Sequence, residues 1–264
     1  SHDYNIVKIA SFKDSSGNQQ PITTKPLIEI EPSSGKRFVM VGTGQLLSDS
    51  DVGSTQRQAF YAINDGLKQS GKFYASLLTS SSGSTVTEYS GVATPNWDDP
   101  GTLEVTPVPV VFPVTRSHLV DNTDLTIGIS SSETKPMGWY YDLAVDTATG
   151  IAERVNVQPT ATSDGIVGFA ANLPNGNACS PAGVARAFAI SFGTGLSAIQ
   201  DASGNIQAFS NLTSNVTDLT FLNVQGKTRL FAGTGSGAII KVGTEFPGST
   251  SYKRLNWREV PSAD

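Results

Sequence analysis

Short apolar or β-branched runs, each ended by Gly, Asn, Asp or Ser, recur along the whole chain. "NIVKIASF" runs into "KDSSGNQQP", "KPLIEIEP" into "SSGKR", and "QAFYAI" into "NDG". Further on, "GIVGFAANL" runs into "PNGN", "RAFAISF" into "GTG", and "LSAIQ" into "DASGN". Runs of this length bounded by turn residues predict strands and hairpins of an all-β fold. The Asp-x-x-Gly-Asn stretches at 14–18 and 201–205 predict tight turns, with Asp capping its own backbone and Gly or Asn accepting positive φ. No long helix is predicted. The best helical candidate, "PAGVARAFAI" at 181–190, alternates toward its end and reads as the entry to a strand.

Two stretches read as poor in order. Residues 79–101 are rich in Ser, Thr and Gly, and residues 102–117 carry Pro107, Pro109 and Pro113 in a valine-rich run. Proline removes a ladder donor, so the second stretch predicts an edge strand or an extended connection. Gly-Thr-Gly or Thr-Gly recurs at 42–44, 149–150, 193–195 and 233–235. In the second half of the chain the spacing is about 40–45 residues, the period of a four-stranded propeller blade. The fold expected is therefore all-β, a modified β-propeller, whole or partial, of antiparallel blades, in one domain over 3–264. Ser1 and His2 read as a cloning remnant.

Composition narrows the function classes. Hydrophobic content is 38%, charged content 16% and net charge −5, with no run of Lys or Arg. A nucleic-acid partner calls for a basic stripe, which argues against that class. No apolar stretch approaches the roughly 18 residues of a membrane helix. Cys179 stands alone in the sequence and reads as a half-buried structural thiol.

The Gly-Thr-Gly stretches fail as phosphate loops. A dinucleotide fingerprint needs a third Gly and then a helix, but Leu47 and Ala238 hold those positions. A P-loop fails too, because the Gly required before "GKT" at 226–228 is Phe221. Both stretches are expected to be strand–turn–strand. Asp49 and Asp51, with Asn64 or Asp65, offer too few oxygens for calcium, and a solvated turn is expected there. His118 has no nucleophile elbow to serve, and zinc ligands are too few. No catalytic, cofactor-binding or metal-binding residue is assigned. "AVDTATGIAERV" at 144–155 is similar to the docking repeat of quinoprotein dehydrogenase propellers, but Arg154 and Val155 stand in place of its closing Trp. It points to a blade, not to a quinone. Trp139 and Tyr141, alternate residues of "GWYYDL", are expected in the core.

Taken in order, several motifs resemble the C-terminal domain of the PilC/PilY family, tip-associated biogenesis factors and adhesins of type IV pili. They are "QPITTKP" at 20–26, "FVMVGTGQLL" at 38–47, "STQRQAFYAINDG" at 54–66 and "VTRSHLVDN" at 114–122. "GWYYDL" at 138–143, "ERV" at 153–155, "LPNGNACSPAG" at 173–183 and "YKRLNWREVP" at 252–261 continue the series. The resemblance implies a modified seven-bladed propeller without enzymatic activity, exported to the pilus tip or outer surface. It implies support of pilus extension against retraction, and adhesion. Minor pilins or other tip components, and a host-cell or surface receptor, are the partners it implies. Some members carry an aspartate-rich calcium loop upstream of the Gln-Pro-Ile-Thr segment. None is present here, so a calcium role is expected only elsewhere in a longer parent protein. The alternatives are a quinoprotein-like enzyme and a stand-alone carbohydrate-binding propeller.

Overall fold

The computed structural model describes residues 8–69, 72–75, 85–89, 94–95, 103–104, 107–111, 113–129, 137–177, 183–224 and 227–243, and for 65–111 it describes the backbone strands alone. The described chain is almost entirely antiparallel β-sheet. Strands β1 (Leu27–Ile30), β2 (Lys36–Gly42), β3 (Ala59–Gln69) and β4 (Lys72–Ala75) form consecutive antiparallel pairs. Next come β5 (Thr85–Tyr89), β6 (Thr94–Pro95), β7 (Leu103–Glu104) and β8 (Pro107–Val111). Then β9 (Val120–Asp121) and β10 (Gly138–Asp142) join the first sheet, whose main order is β1-β2-β3-β10-β9. The β9–β10 pairing is parallel.

A second sheet has the order β11-β12-β13-β14, with β11 at Thr160–Ala161, β12 at Ile166–Pro174, β13 at Gly183–Ser191 and β14 at Ser210–Leu212. A third is β15 (Val216–Val224), β16 (Lys227–Thr234) and β17 (Ile239–Val242). Two helical turns interrupt the strands, α1 at Asp49–Val52 and a 3-10 turn at Arg116–His118.

The 2-residue period of strand side chains explains how the three larger sheets stack. On β12, Val167, Phe169 and Ala171 face the first sheet, where they meet Phe38, Met40, Phe60 and Trp139. Ala170, between them, faces the third sheet and packs with Leu219, Leu230 and Ala232. The second sheet is thus apolar on both faces, which is why "IVGFAANL" reads as a nearly continuous apolar run. The first sheet is covered on its other face as well, where Val41, Tyr61 and Ile63 pack on Phe12, Val114 and Leu119. No closed ring of sheets forms among the described residues.

Trp139 and Tyr141 lie on the face of β10 that meets the second sheet. Trp139 is fully buried, and its indole N–H donates to the Phe192 carbonyl at 2.8 Å. Phe60 stacks on Phe169 at 3.9 Å between ring centres, and Phe169 on Phe188 at 4.5 Å, forming an aromatic seam.

Residues 183–190 lie in strand β13, as the alternation in that stretch predicts. Other expectations change in detail. The stretch 79–101 contains strands β5 and β6, so it is not uniformly irregular. Pro107 and Pro109 lie in β8, which pairs with β5 in a two-stranded ladder, as an edge strand should. Cys179 and the closing motif at 252–261 lie outside the described residues.

Candidate functional site

The first Gly-Thr-Gly is not a hairpin turn. Gly42 ends β2, and a Cβ there would overlap the Val155 side chain. Gly44 has φ +120°, and a Cβ there would overlap Cβ of Arg154. The two glycines let the 153–155 segment lie flat against the end of β2. Thr43 between them is fully buried and bonds both backbone groups of Ala59, while its carbonyl accepts from Val155 N at 2.9 Å. The second Gly-Thr-Gly behaves as expected. Gly233 and Gly235 have ordinary space around them, and Thr234 N donates to the Ala238 carbonyl across a turn in which Gly237 takes φ +82°.

Arg154 is 2% exposed and has no carboxylate partner among the described residues. Its guanidinium donates to the carbonyls of Gln45, Asp51, Ser54 and Ala152. It thereby ties down the loop 45–54, whose own backbone would otherwise be left unpaired at a buried edge. Burial pushes the Arg154 pKa below its ordinary value, with nearby Asp51 acting against that shift. In the same loop the Asp51 carboxylate accepts from Gln45 Nε2 (2.8 Å), Leu47 N (2.9 Å) and Ser48 N (2.9 Å). The Gln45 amide and then the Leu47 N–H hold the Asp51 pKa down at about 2.

The neighbouring residue, Glu153, points the other way. Its carboxylate accepts from Arg186 Nε at 2.6 Å, pairs also with Arg186 Nη2, and caps Ala144 N at 3.0 Å. Arg186 in turn lies 4.3 Å from the ring centre of Phe209. One tripeptide, Glu153-Arg154-Val155, therefore joins the loop after β2, the end of β10 and the second sheet.

A third cluster gathers around Arg116, in the 3-10 turn. It pairs through both terminal nitrogens with Asp142, donates from Nε to Tyr61 Oη at 2.9 Å, and lies 4.4 Å from the Tyr140 ring centre. Tyr61 Oη donates to Gln20 Oε1 at 2.5 Å, and Gln20 Nε2 donates to the Arg57 carbonyl. Burial raises the Tyr61 phenol to about 12 despite the Arg116 charge beside it.

The open surface next to these clusters is a polar hollow. An inner cavity of about 290 Å³ is lined by Gly44, Gln45, Asp51, Gln56, Gln58 and Arg154, among others. An outer hollow of about 610 Å³ lies between the Asp14 turn, the loop at 50–57 and Val145. Ser54 and Gln56 belong to both. Gln58 is 4% exposed, and its Oε1 has no hydrogen-bond partner among the described residues. An unpaired buried acceptor of this kind costs about 1–3 kcal/mol.

The candidates weighed from sequence do not come together as a catalytic or metal site. Asp49 is exposed and Asp51 is consumed by its loop, while Asn64 sits in β3 with its N–H on the Met137 carbonyl. The Asp65 side chain lies outside the described residues. His118 is half-buried, and its Nδ1 accepts from Thr115 N at 3.0 Å. The quinoprotein-like stretch is a closed turn, in which Asp146 accepts from Thr149 Oγ1 and Gly150 N donates back to the Asp146 carbonyl. The Asp14 and Asp201 turns are near copies. In each, the Asp accepts from backbone N–H groups two and four residues on, from the Asn amide, and from a glutamine, Gln56 or Gln207. The hollow itself has no sequence signature, because Gln19, Gln45 and the Gln56–Gln58 stretch come from three separate segments.

No protein-family model matches the sequence, and no curated protein matches it. A solved structure does match the fold, the crystal structure of the Pseudomonas aeruginosa PilY1 C-terminal domain, with a TM-score of 0.52 and 19% sequence identity. The match covers 89% of this chain and 47% of that one, so the chain spans about half the length of the structure it resembles. The two share a fold. No helix among the described residues is long and apolar enough to cross a membrane.

Proposed function

We propose that this chain is a non-enzymatic module of the type IV pilus machinery, of the PilC/PilY kind. In this reading it is exported and acts at the pilus tip or outer surface. It supports pilus biogenesis by opposing retraction, contacts minor pilins or other tip components, and engages a host-cell or surface receptor. Its stacked sheets are blades of a modified propeller, and any calcium loop lies elsewhere in a longer parent protein.

The observation that carries the proposal is the fold match to the PilY1 C-terminal domain over 89% of the chain. The ordered motifs add to it, because four of them meet physically. Gln20, Tyr61, Arg116 and Asp142 come from four separate motifs and form one hydrogen-bonded network. Immunogold labelling of sheared pili with an antibody to this chain tests the placement. Label at pilus ends is the expected result, and pili without label from cells that produce the protein would overturn it.

A further inference from the structure

The inner cavity offers hydrogen-bond acceptors that the protein does not use. Gln58 Nε2 donates to the Gln56 carbonyl at 3.1 Å and to Gln56 Oε1 at 3.3 Å, which fixes which end of the amide is oxygen. That leaves Gln58 Oε1 buried and unpaired among the described residues, in a side chain that lines the cavity. Asp51 Oδ1 accepts from Gln45, and a carboxylate oxygen can accept a second hydrogen bond. The one cation in the wall, Arg154, spends its N–H groups on backbone carbonyls.

Those groups select a ligand class. In the inner cavity a cation meets the Arg154 guanidinium and an anion meets the Asp51 carboxylate, while Arg57 lines only the outer hollow. A neutral hydroxyl suits both acceptors, since it donates one bond and still accepts others. Pro21 of the inner cavity and Val145 of the outer hollow are apolar, and apart from Gly44, Gly53, Arg57 and Arg154 the remaining wall is Gln, Ser, Asn, Asp and Thr. A peptide side chain gains little there, because apolar contact is scarce. Volumes of about 290 and 610 Å³, which share Ser54 and Gln56 as wall residues, give room for one sugar ring in the first and further rings in the second.

We propose that this cavity binds a neutral saccharide, with Gln58 Oε1 and Asp51 Oδ1 accepting from hydroxyls of the inner ring. No aromatic ring among the described residues lines it, so hydrogen bonds hold the sugar and affinity is in the millimolar range. The proposal stands apart from the pilus role, which is tested in cells, whereas this one is tested on the purified chain.

The experiment is titration of the ¹⁵N-labelled full chain with methyl glycosides of glucose, galactose, mannose, fucose, N-acetylglucosamine and N-acetylgalactosamine. Saturable shifts in the amides of Gly44, Gln45, Ser54 and Gln56 with at least one sugar are expected. Gln58→Met keeps the side-chain length, removes the acceptor, and weakens that sugar about tenfold. If Gln58→Met fails to fold, the location of the wild-type shifts decides. Shifts absent with every sugar, shifts confined to other surfaces, or shifts produced only by a neutral Gly/Ser peptide would each overturn the proposal.

Discussion

Gly44 lies directly beneath Arg154, with no space for a Cβ between them and with a backbone φ of +120° that L side chains rarely adopt. Gly44→Ala combines overpacking with backbone strain and is expected to cost about 2–4 kcal/mol in chemical denaturation. Gly235→Ala, in the other Gly-Thr-Gly, meets only Ser214 Oγ and the Asn215 carbonyl at ordinary distance and is expected to change stability by less than about 1 kcal/mol. Equal losses at the two sites would show that both are plain turns.

Glu153 and Arg186 form a largely buried pair, with side chains 5% and 14% exposed. Glu153→Ala strands the guanidinium and frees Ala144 N, and a loss of about 3–5 kcal/mol is expected. Arg186→Met in the same chain should recover part of that loss, since Met still covers Phe209 and no charge remains unpaired. A double-mutant cycle by denaturant unfolding measures the coupling, and additive losses would mean the pair is not linked.

Arg116 uses its planar fork on Asp142 while Nε serves Tyr61 and its face covers Tyr140. A lysine ammonium cannot do all three, so Arg116→Lys should destabilise nearly as much as Arg116→Ala, by about 2–4 kcal/mol. Thermal unfolding of the two variants side by side checks this. The wild-type phenol of Tyr61, raised to about 12, should ionise after ordinary tyrosines in an ultraviolet titration. Its stabilising contribution is full below pH about 10 and is lost as the pH rises through about 12.

Asp51 has its pKa lowered from 3.8 to about 2 by the Gln45 amide and then the Leu47 N–H. A depressed folded-state pKa gives stability that is full above 3.8 and is lost as pH falls through about 2. Urea midpoints of the wild-type chain should therefore fall over that window more steeply than those of Asp51→Asn. Parallel slopes would mean the carboxylate does not hold the loop.

The strands and turns were legible because both depend on local chemistry. The alternation in "GWYYDL" places Trp139 and Tyr141 on one core face, and the Asp-x-x-Gly-Asn stretches close as Asp-capped turns. What lay beyond reach was set by distant residues. Nothing near Gly42 and Gly44 announces that Val155 and Arg154 will press on them, so a close approach looked like a turn. The polar hollow was hidden for the same reason, since Gln45 meets Gln56 and Gln58 only when the loop after β2 is folded back against Arg154. The partner of His118 was equally hidden, because it is a backbone N–H, which every residue but proline carries.

The most direct test of the pilus account is a count of surface pili by electron microscopy in cells lacking this gene, with and without the pilus retraction motor. The account predicts few pili in the single deletion, recovery on return of the wild-type gene, and recovery when the retraction motor is also removed. Normal piliation in the single deletion would contradict it.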